Sequence, residues 1–156
     1  MSDVWYFAYG SNLSKGRKQN RTGLIRRAVR AKLPDYRLVF NKQGAAGGVY
    51  ANIRREPGEV VWGVVYLCDS NAMAELDLWE GVMGGHYDRT AITVELEDGS
   101  PCNAEVYVAG ERYVVEEQSP SKEYLDCILT GANEHQLPGD YIAKIRQLAM
   151  AGQRTT

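Results

Sequence analysis

Glu80 and the run Gly10-Ser11-Asn12 are the residues of this chain whose types and positions could do chemistry. A glutamate that ends a short helix faces the negative end of the helix macrodipole, which disfavours its charged form. Trp79 adjoins it, and Gly81, Gly84 and Gly85 keep the following segment thin, so the carboxyl should be partly desolvated and its pKa raised. A raised pKa suits a group that must take a proton and return it near neutral pH. The Gly-Ser-Asn run follows an apolar, aromatic, β-prone stretch, Val4 to Tyr9, and should form a small polar turn. The backbone N–H groups of such a turn can hold an anion or a developing oxyanion, and Gly10 lets a ligand approach the main chain closely. Tyr87, seven residues after Glu80, starts the strand beyond the glycine segment and could orient the carboxylate or a ligand.

Rival chemistries fail on spacing. Gly16 is followed by Arg17 where a phosphate-binding loop needs Gly-Lys-Ser/Thr, and no GxGxxG follows any strand. Ser11 has no neighbour to activate it as a nucleophile, and His86 beside the glycine segment reads as a polar surface residue. His86 and His135 make no ligand spacing with Cys68, Cys102 and Cys127, so no zinc site is expected. A formal charge of −2 gives no reason to expect nucleic acid or an anionic membrane as partner. The local basic cluster Arg26, Arg27, Arg30 and Lys32 reads as a solvated face. Three widely spaced cysteines fit a reducing compartment, no stretch approaches a membrane span, and the expected location is cytoplasmic.

These residues need a scaffold that brings positions 10 and 80 together. Strand patterns fall at Val4–Tyr9, Tyr36–Phe40, Val60–Leu67 after a Pro57-Gly58 turn, Ala91–Leu96 and Ala104–Val108, the last two joined through Asp98-Gly99 as a hairpin. Helical spacing appears at Asn71–Trp79 with Ser70 as N-cap, at Ser121–Glu134 and at Tyr141–Ala149. Gly81 sits where a glycine would stop the first of these helices. Gly44 to Gly48 is a small-residue loop, open to reading as a lid or as a surface loop. Short strands with a few segregated helices predict an α+β fold, a small and strongly curved sheet or barrel. One domain over 1–152 with a frayed tail at 153–156 accommodates the length.

The residues also carry a resemblance. Tyr6-Phe-Ala-Tyr-Gly-Ser-Asn-Leu13, Leu76-Asp-Leu-Trp-Glu-Gly81 and Tyr87 resemble the γ-glutamylcyclotransferase family. The likeness continues in order through Val61-Trp-Gly-Val-Val65, Tyr107, Ser119-Pro-Ser-Lys-Glu-Tyr124, Gly131-Ala132 and Leu137-Pro138 with Tyr141. The resemblance implies a small curved mixed β-barrel with flanking helices that forms 5-oxoproline from γ-glutamyl compounds and releases the amine. It implies Glu80 as general base and acid, and Tyr9, Gly10, Ser11, Asn12 and Leu13 as the loop that holds the γ-glutamyl group through backbone N–H donors. Tyr87, Tyr107 and Tyr124 would line the same cavity. Tyr6 and Tyr9 lie on opposite faces if both belong to one strand, so Tyr9, which abuts the loop, is assigned to the site and Tyr6 is not.

Gly-Ser-Asn-Leu leans towards the branch acting on γ-glutamyl-amino acids, because glutathione-specific relatives carry a loop ending in Ser-Leu and γ-glutamylamine relatives one reading Gly-Thr-Leu. The implied partner is a small γ-glutamyl molecule, with no cofactor; the residues assign no leaving group and no oligomeric state. The alternative from another class is a non-catalytic small-molecule binding or interaction module on the same fold.

Overall fold

The computed structural model describes residues 3–44 and 47–151. Five strands, β1 (Val4–Ala8), β2 (Ala28–Gln43), β3 (Val49–Cys68), β4 (Tyr87–Leu96) and β5 (Pro101–Ala109), close a barrel in the order β1-β3-β2-β4-β5. All pairings are antiparallel except the closing one, where Tyr6 of β1 meets Glu105 of β5 in parallel. Closure removes the sheet edges, and one continuous apolar core inside the barrel and beneath the flanking helices includes Phe7, Phe40, Val61, Val64, Val65 and Val106. The helices α1 (Lys15–Thr22), α2 (Ser70–Trp79), α3 (Lys122–Glu134) and α4 (Gly139–Ala151) flank the barrel.

The long β2–β3 ribbon departs from expectation. Tyr36–Phe40 is the middle of a strand reaching back to Ala28, and the Pro57-Gly58 signal lies inside β3 without reversing the chain. The register shifts between Pro34 and Tyr36, Asp35 takes a φ of 65°, and its carboxylate accepts the Gly58 N–H at 3.0 Å. The breaker residues therefore make a bulge that bends the ribbon instead of a turn that ends it. The ribbon's own turn is near Gly44–Gly48, where Gly44 and Gly48 pair N–H to carbonyl at 3.0 Å. Ala45 and Ala46 within that loop, and the expected frayed tail at 153–156, lie outside the described residues.

The basic cluster lies on or just before β2. Arg26 pairs with Asp3, Arg30 with Glu97 and Lys32 with Glu95, while Arg27 sits over the Trp5 ring.

Helix α1 was not legible from periodicity, because Lys15–Thr22 reads KGRKQNRT and holds no apolar residue. Ser14 caps it by accepting the Arg17 N–H, and its Lys18 stem is buried against the barrel. Helix α2 is capped by Asp69 and not by Ser70, which becomes its first residue. Among the described residues no helix is long and apolar enough to cross a membrane, and no cluster of His, Cys, Asp or Glu could hold a metal ion.

Candidate active site

The end of β1 builds one wall. The strand stops at Ala8, and a single 3-10 turn over Ser11–Leu13 follows, closed by the Leu13 N–H on the Gly10 carbonyl at 3.0 Å. The Tyr66 hydroxyl donates to the Asn12 carbonyl at 2.8 Å, and the Ser11 carbonyl receives the Ser14 N–H. The Ser11 and Asn12 N–H groups open the turn and have no acceptor within it. Helix α3 lies directly on this backbone, which it can do only because position 131 is glycine. A Cβ there would sit 2.2 Å from the Leu13 carbonyl carbon and 2.3 Å from the Ser14 nitrogen.

The end of α2 builds the opposite wall. Glu80 is the C-cap, and Gly81, with a φ of 64°, takes the left-handed conformation that stops the helix. The Glu80 side chain is thereby turned towards the end of β1. Its Oε1 accepts from Arg21 Nη1 at 3.2 Å and from Asn12 Nδ2 at 3.3 Å. The same Arg21 nitrogen donates to Asn12 Oδ1 at 3.1 Å, and Asn12 Nδ2 donates to the Tyr6 hydroxyl at 2.9 Å. Among the described residues Oε2 of Glu80 has no hydrogen-bond partner, so one carboxylate oxygen is anchored and the other is available.

Burial is the largest influence on Glu80 and raises its pKa, against the opposing pull of Arg21, Arg17, Asn12 and Lys42. Trp79 is itself 58 % exposed, with its ring over Arg21 at 5.1 Å. Glu80 lines the cavity between the two walls, together with Tyr6, Tyr9, Tyr87, Tyr107 and Tyr124.

Burial pushes all five tyrosine hydroxyls up, so each keeps its proton at neutral pH. They divide by how that proton is used. Tyr9 donates to the Tyr107 carbonyl at 2.6 Å, Tyr87 to the Ala51 carbonyl at 2.7 Å and Tyr107 to Asp77 Oδ1 at 2.7 Å. Tyr124 instead accepts the Ala51 N–H at 3.0 Å, and Tyr6 accepts from Asn12. Each hydroxyl carries one donor, so Tyr6 and Tyr124 retain theirs for a ligand, while Tyr9 and Tyr87 have spent it on barrel carbonyls and Tyr107 on Asp77 of α2.

The structure brings together Glu80, Tyr9, Gly10, Ser11, Asn12, Tyr87, Tyr107 and Tyr124 around this cavity. Leu13 is not part of its lining. Its side chain is fully buried in the core, because the tight turn points it under α3 at Gly131. Tyr6, which the opposite-face argument set aside, does line the cavity. The parity of a strand applies only within it, and Tyr9 lies past its end. Ala51, from the far half of the β2–β3 ribbon, also lines the cavity and carried no sequence signal.

Outside Glu80 the cavity continues into a wider chamber lined by Arg17, Arg21 and Lys42, with Tyr50, Trp79 and His86. Arg17 and Arg21 are four residues apart on α1, so one face of that helix carries both. His86 is no isolated surface histidine. Its ring stacks on Tyr113 at 4.0 Å between centroids, and Lys42 Nζ lies 2.8 Å from its Nδ1.

Residues 60–145 match the model of the AIG2-like family. A γ-glutamylcyclotransferase of Bos taurus is 35 % identical over 92 % of this chain and 77 % of its own, and the one of Homo sapiens is 34 % identical over the same shares. A solved structure described as a γ-glutamyl cyclotransferase superposes with a TM-score of 0.85 at 31 % identity, covering 93 % of this chain and 87 % of that one.

Proposed function

The chain belongs to the AIG2-like, γ-glutamylcyclotransferase family, and from that premise we propose that it cyclises γ-glutamyl-amino acids or related γ-glutamyl amines to 5-oxoproline and releases the amine. The observation that carries the reading is Glu80: a carboxylate with one oxygen anchored and the other free, facing the Gly10–Asn12 turn across a tyrosine-lined cavity.

The substrate's own α-amine attacks its γ-carbonyl and closes a five-membered ring, so proximity is largely built into the substrate once its folded conformer is held. An α-ammonium is unreactive until it loses a proton. Glu80 Oε2 takes that proton, and burial, by raising the pKa, makes the carboxylate a stronger base for it. The same oxygen then protonates the departing nitrogen as the tetrahedral carbon collapses, and the ring nitrogen's second surplus proton goes to the released amine, which leaves as its ammonium form. The Ser11 and Asn12 N–H groups, with the spare hydroxyl protons of Tyr6 and Tyr124, supply neutral donors for the substrate's oxygens. No step forms a covalent bond to the protein. The reducing, cytoplasmic setting expected from three free cysteines belongs to the same proposal.

Incubation of the purified chain with γ-glutamyl-alanine and detection of 5-oxoproline by mass spectrometry tests this. Release of 5-oxoproline and alanine in equal amounts is expected. A folded protein that releases none from γ-glutamyl-amino acids or γ-glutamyl amines overturns the reading and leaves a binding module in its place.

A further inference from the structure

The chamber outside Glu80 has a charge imbalance that the cyclisation itself does not use. Its wall holds three cations, Arg17, Arg21 and Lys42, and one carboxylate, Glu80. Arg21 is paired with that carboxylate at 3.2 Å. Arg17, at the rim, has no carboxylate partner among the described residues.

Lys42 is the more unusual of the two unmatched cations. It is 2 % exposed, its immediate contacts are neutral, and the charged group that acts on it is Glu80 in the same chamber. Its Nζ donates to the Gln43 carbonyl at 2.7 Å and lies 2.8 Å from His86 Nδ1. The rings of Tyr113, Tyr87 and Tyr50 surround it at 5.0, 5.3 and 5.8 Å from their centroids. Aromatic faces hold a cation in place without cancelling its charge. A caged cation of this kind keeps its field for whatever enters the chamber; burial lowers its pKa and Glu80 works the other way, supporting the charged form.

On the cyclotransferase reading the inner cavity takes the γ-glutamyl group, so the chamber receives the other half of the substrate, the amine that leaves. We propose that Lys42 and Arg17 make this chamber selective for leaving amino acids that carry a second carboxylate, such as glutamate or aspartate. The inference rests on the cyclotransferase reading and specifies its substrate class. A leaving amino acid with one carboxylate satisfies one of the two unmatched cations and leaves the other bare. A dicarboxylic one satisfies both. Leaving amines without a carboxylate gain nothing from either.

The test compares γ-glutamyl-glutamate with γ-glutamyl-glutamine, which share shape and differ in one charge, using 5-oxoproline release from the full chain. The expected kcat/KM ratio favours glutamate about tenfold, close to 1.4 kcal/mol, and lies mainly in KM. Salt between about 0.01 M and about 1 M should reduce the share of the ratio that comes from exposed Arg17 and leave most of the share from buried Lys42, because a buried charge is screened much less. The ratio should also fall towards one in Lys42→Gln, with a smaller fall in the exposed Arg17→Gln. The comparison of the two dipeptides needs only the unaltered protein, so it decides the matter even if Lys42→Gln does not fold. Equal turnover of the two dipeptides overturns the charge selection and leaves the cyclotransferase standing. A ratio that survives both substitutions overturns the assignment to these residues. If neither dipeptide nor γ-glutamyl-alanine yields 5-oxoproline, the cyclotransferase reading falls and this inference falls with it.

Discussion

The inner cavity and the outer chamber meet at Glu80 and are built from different materials. In the cavity, polar groups are tied to backbone: Tyr9 to the Tyr107 carbonyl, Tyr87 to the Ala51 carbonyl, Tyr124 to the Ala51 N–H, and the Asn12 carbonyl to Tyr66. Such dipoles are fixed before a ligand arrives and read one shape. The chamber is walled by side-chain cations and by rings, and at its edge Trp79 is 58 % exposed. Charge acts over distance and tolerates differences of shape. In the proposed reaction, the half of the substrate that is always the same meets rigid neutral donors, and the half that varies meets an electrostatic field.

Substitutions on either side of Glu80 can break or sharpen that contrast. The largest effect is expected at the boundary itself. Glu80→Gln keeps the shape and cannot cycle a proton, so kcat should fall by about a hundred- to ten-thousand-fold in the 5-oxoproline assay. The same variant has a stability signature. Burial raises the native pKa of Glu80 above its unfolded value, so wild-type stability is fullest below the ordinary carboxylate range and declines as pH rises through the native pKa. Denaturation of the two proteins across pH should therefore show the wild type losing ground to Glu80→Gln as pH rises from acid to neutral. A constant gap would mean that the native and unfolded pKa values of Glu80 coincide.

Next comes the rigidity of the inner wall. Gly131→Ala places a Cβ 2.2 Å from the Leu13 backbone and should cost about 1–3 kcal/mol in urea denaturation while displacing the turn that carries Ser11 and Asn12. Gly139→Ala, where nothing lies within 4 Å, is the control and should show no such loss. Tyr124→Phe removes the acceptor of the Ala51 N–H and should cost about 1–3 kcal/mol in the same measurement, because that donor is left buried without a partner.

The smallest effect is expected on the outer side. Trp79→Ala loses only an exposed ring over Arg21, worth about 0.5–1 kcal/mol. If Trp79→Ala cost more stability than Gly131→Ala, the contrast between a rigid cavity and a tolerant chamber would be wrong.

Much of the site was legible because its residues announce themselves locally. Gly-Ser-Asn after an aromatic strand is a turn by composition, and Glu80-Gly81 ends a helix by the preference of glycine for positive φ. The failures were equally local in origin. Tyr6 was excluded by extending a period-two rule one residue past the strand's end, and Leu13 entered with the loop that the family resemblance matches to Tyr9 through Leu13, although the turn buries its side chain. Arg17 and Arg21 lie on a helix with no apolar residue, so no hydrophobic period marked it. Ser14 in front of that segment was the one available cue, since a serine N-cap needs no apolar stripe behind it.

Sequence by itself determined the strands and helices with apolar periodicity, the turn at Gly10, the stop at Gly81 and the family likeness, because these rest on short-range preferences of neighbouring residues. Tertiary structure alone decided that Pro57-Gly58 bends a strand instead of ending it, that Asn12 and Arg21 anchor one oxygen of Glu80, and that Lys42 sits caged beside His86. Each of these depends on which distant backbone lies opposite, and in a barrel that is fixed only when strand register and closure bury all five strands at once.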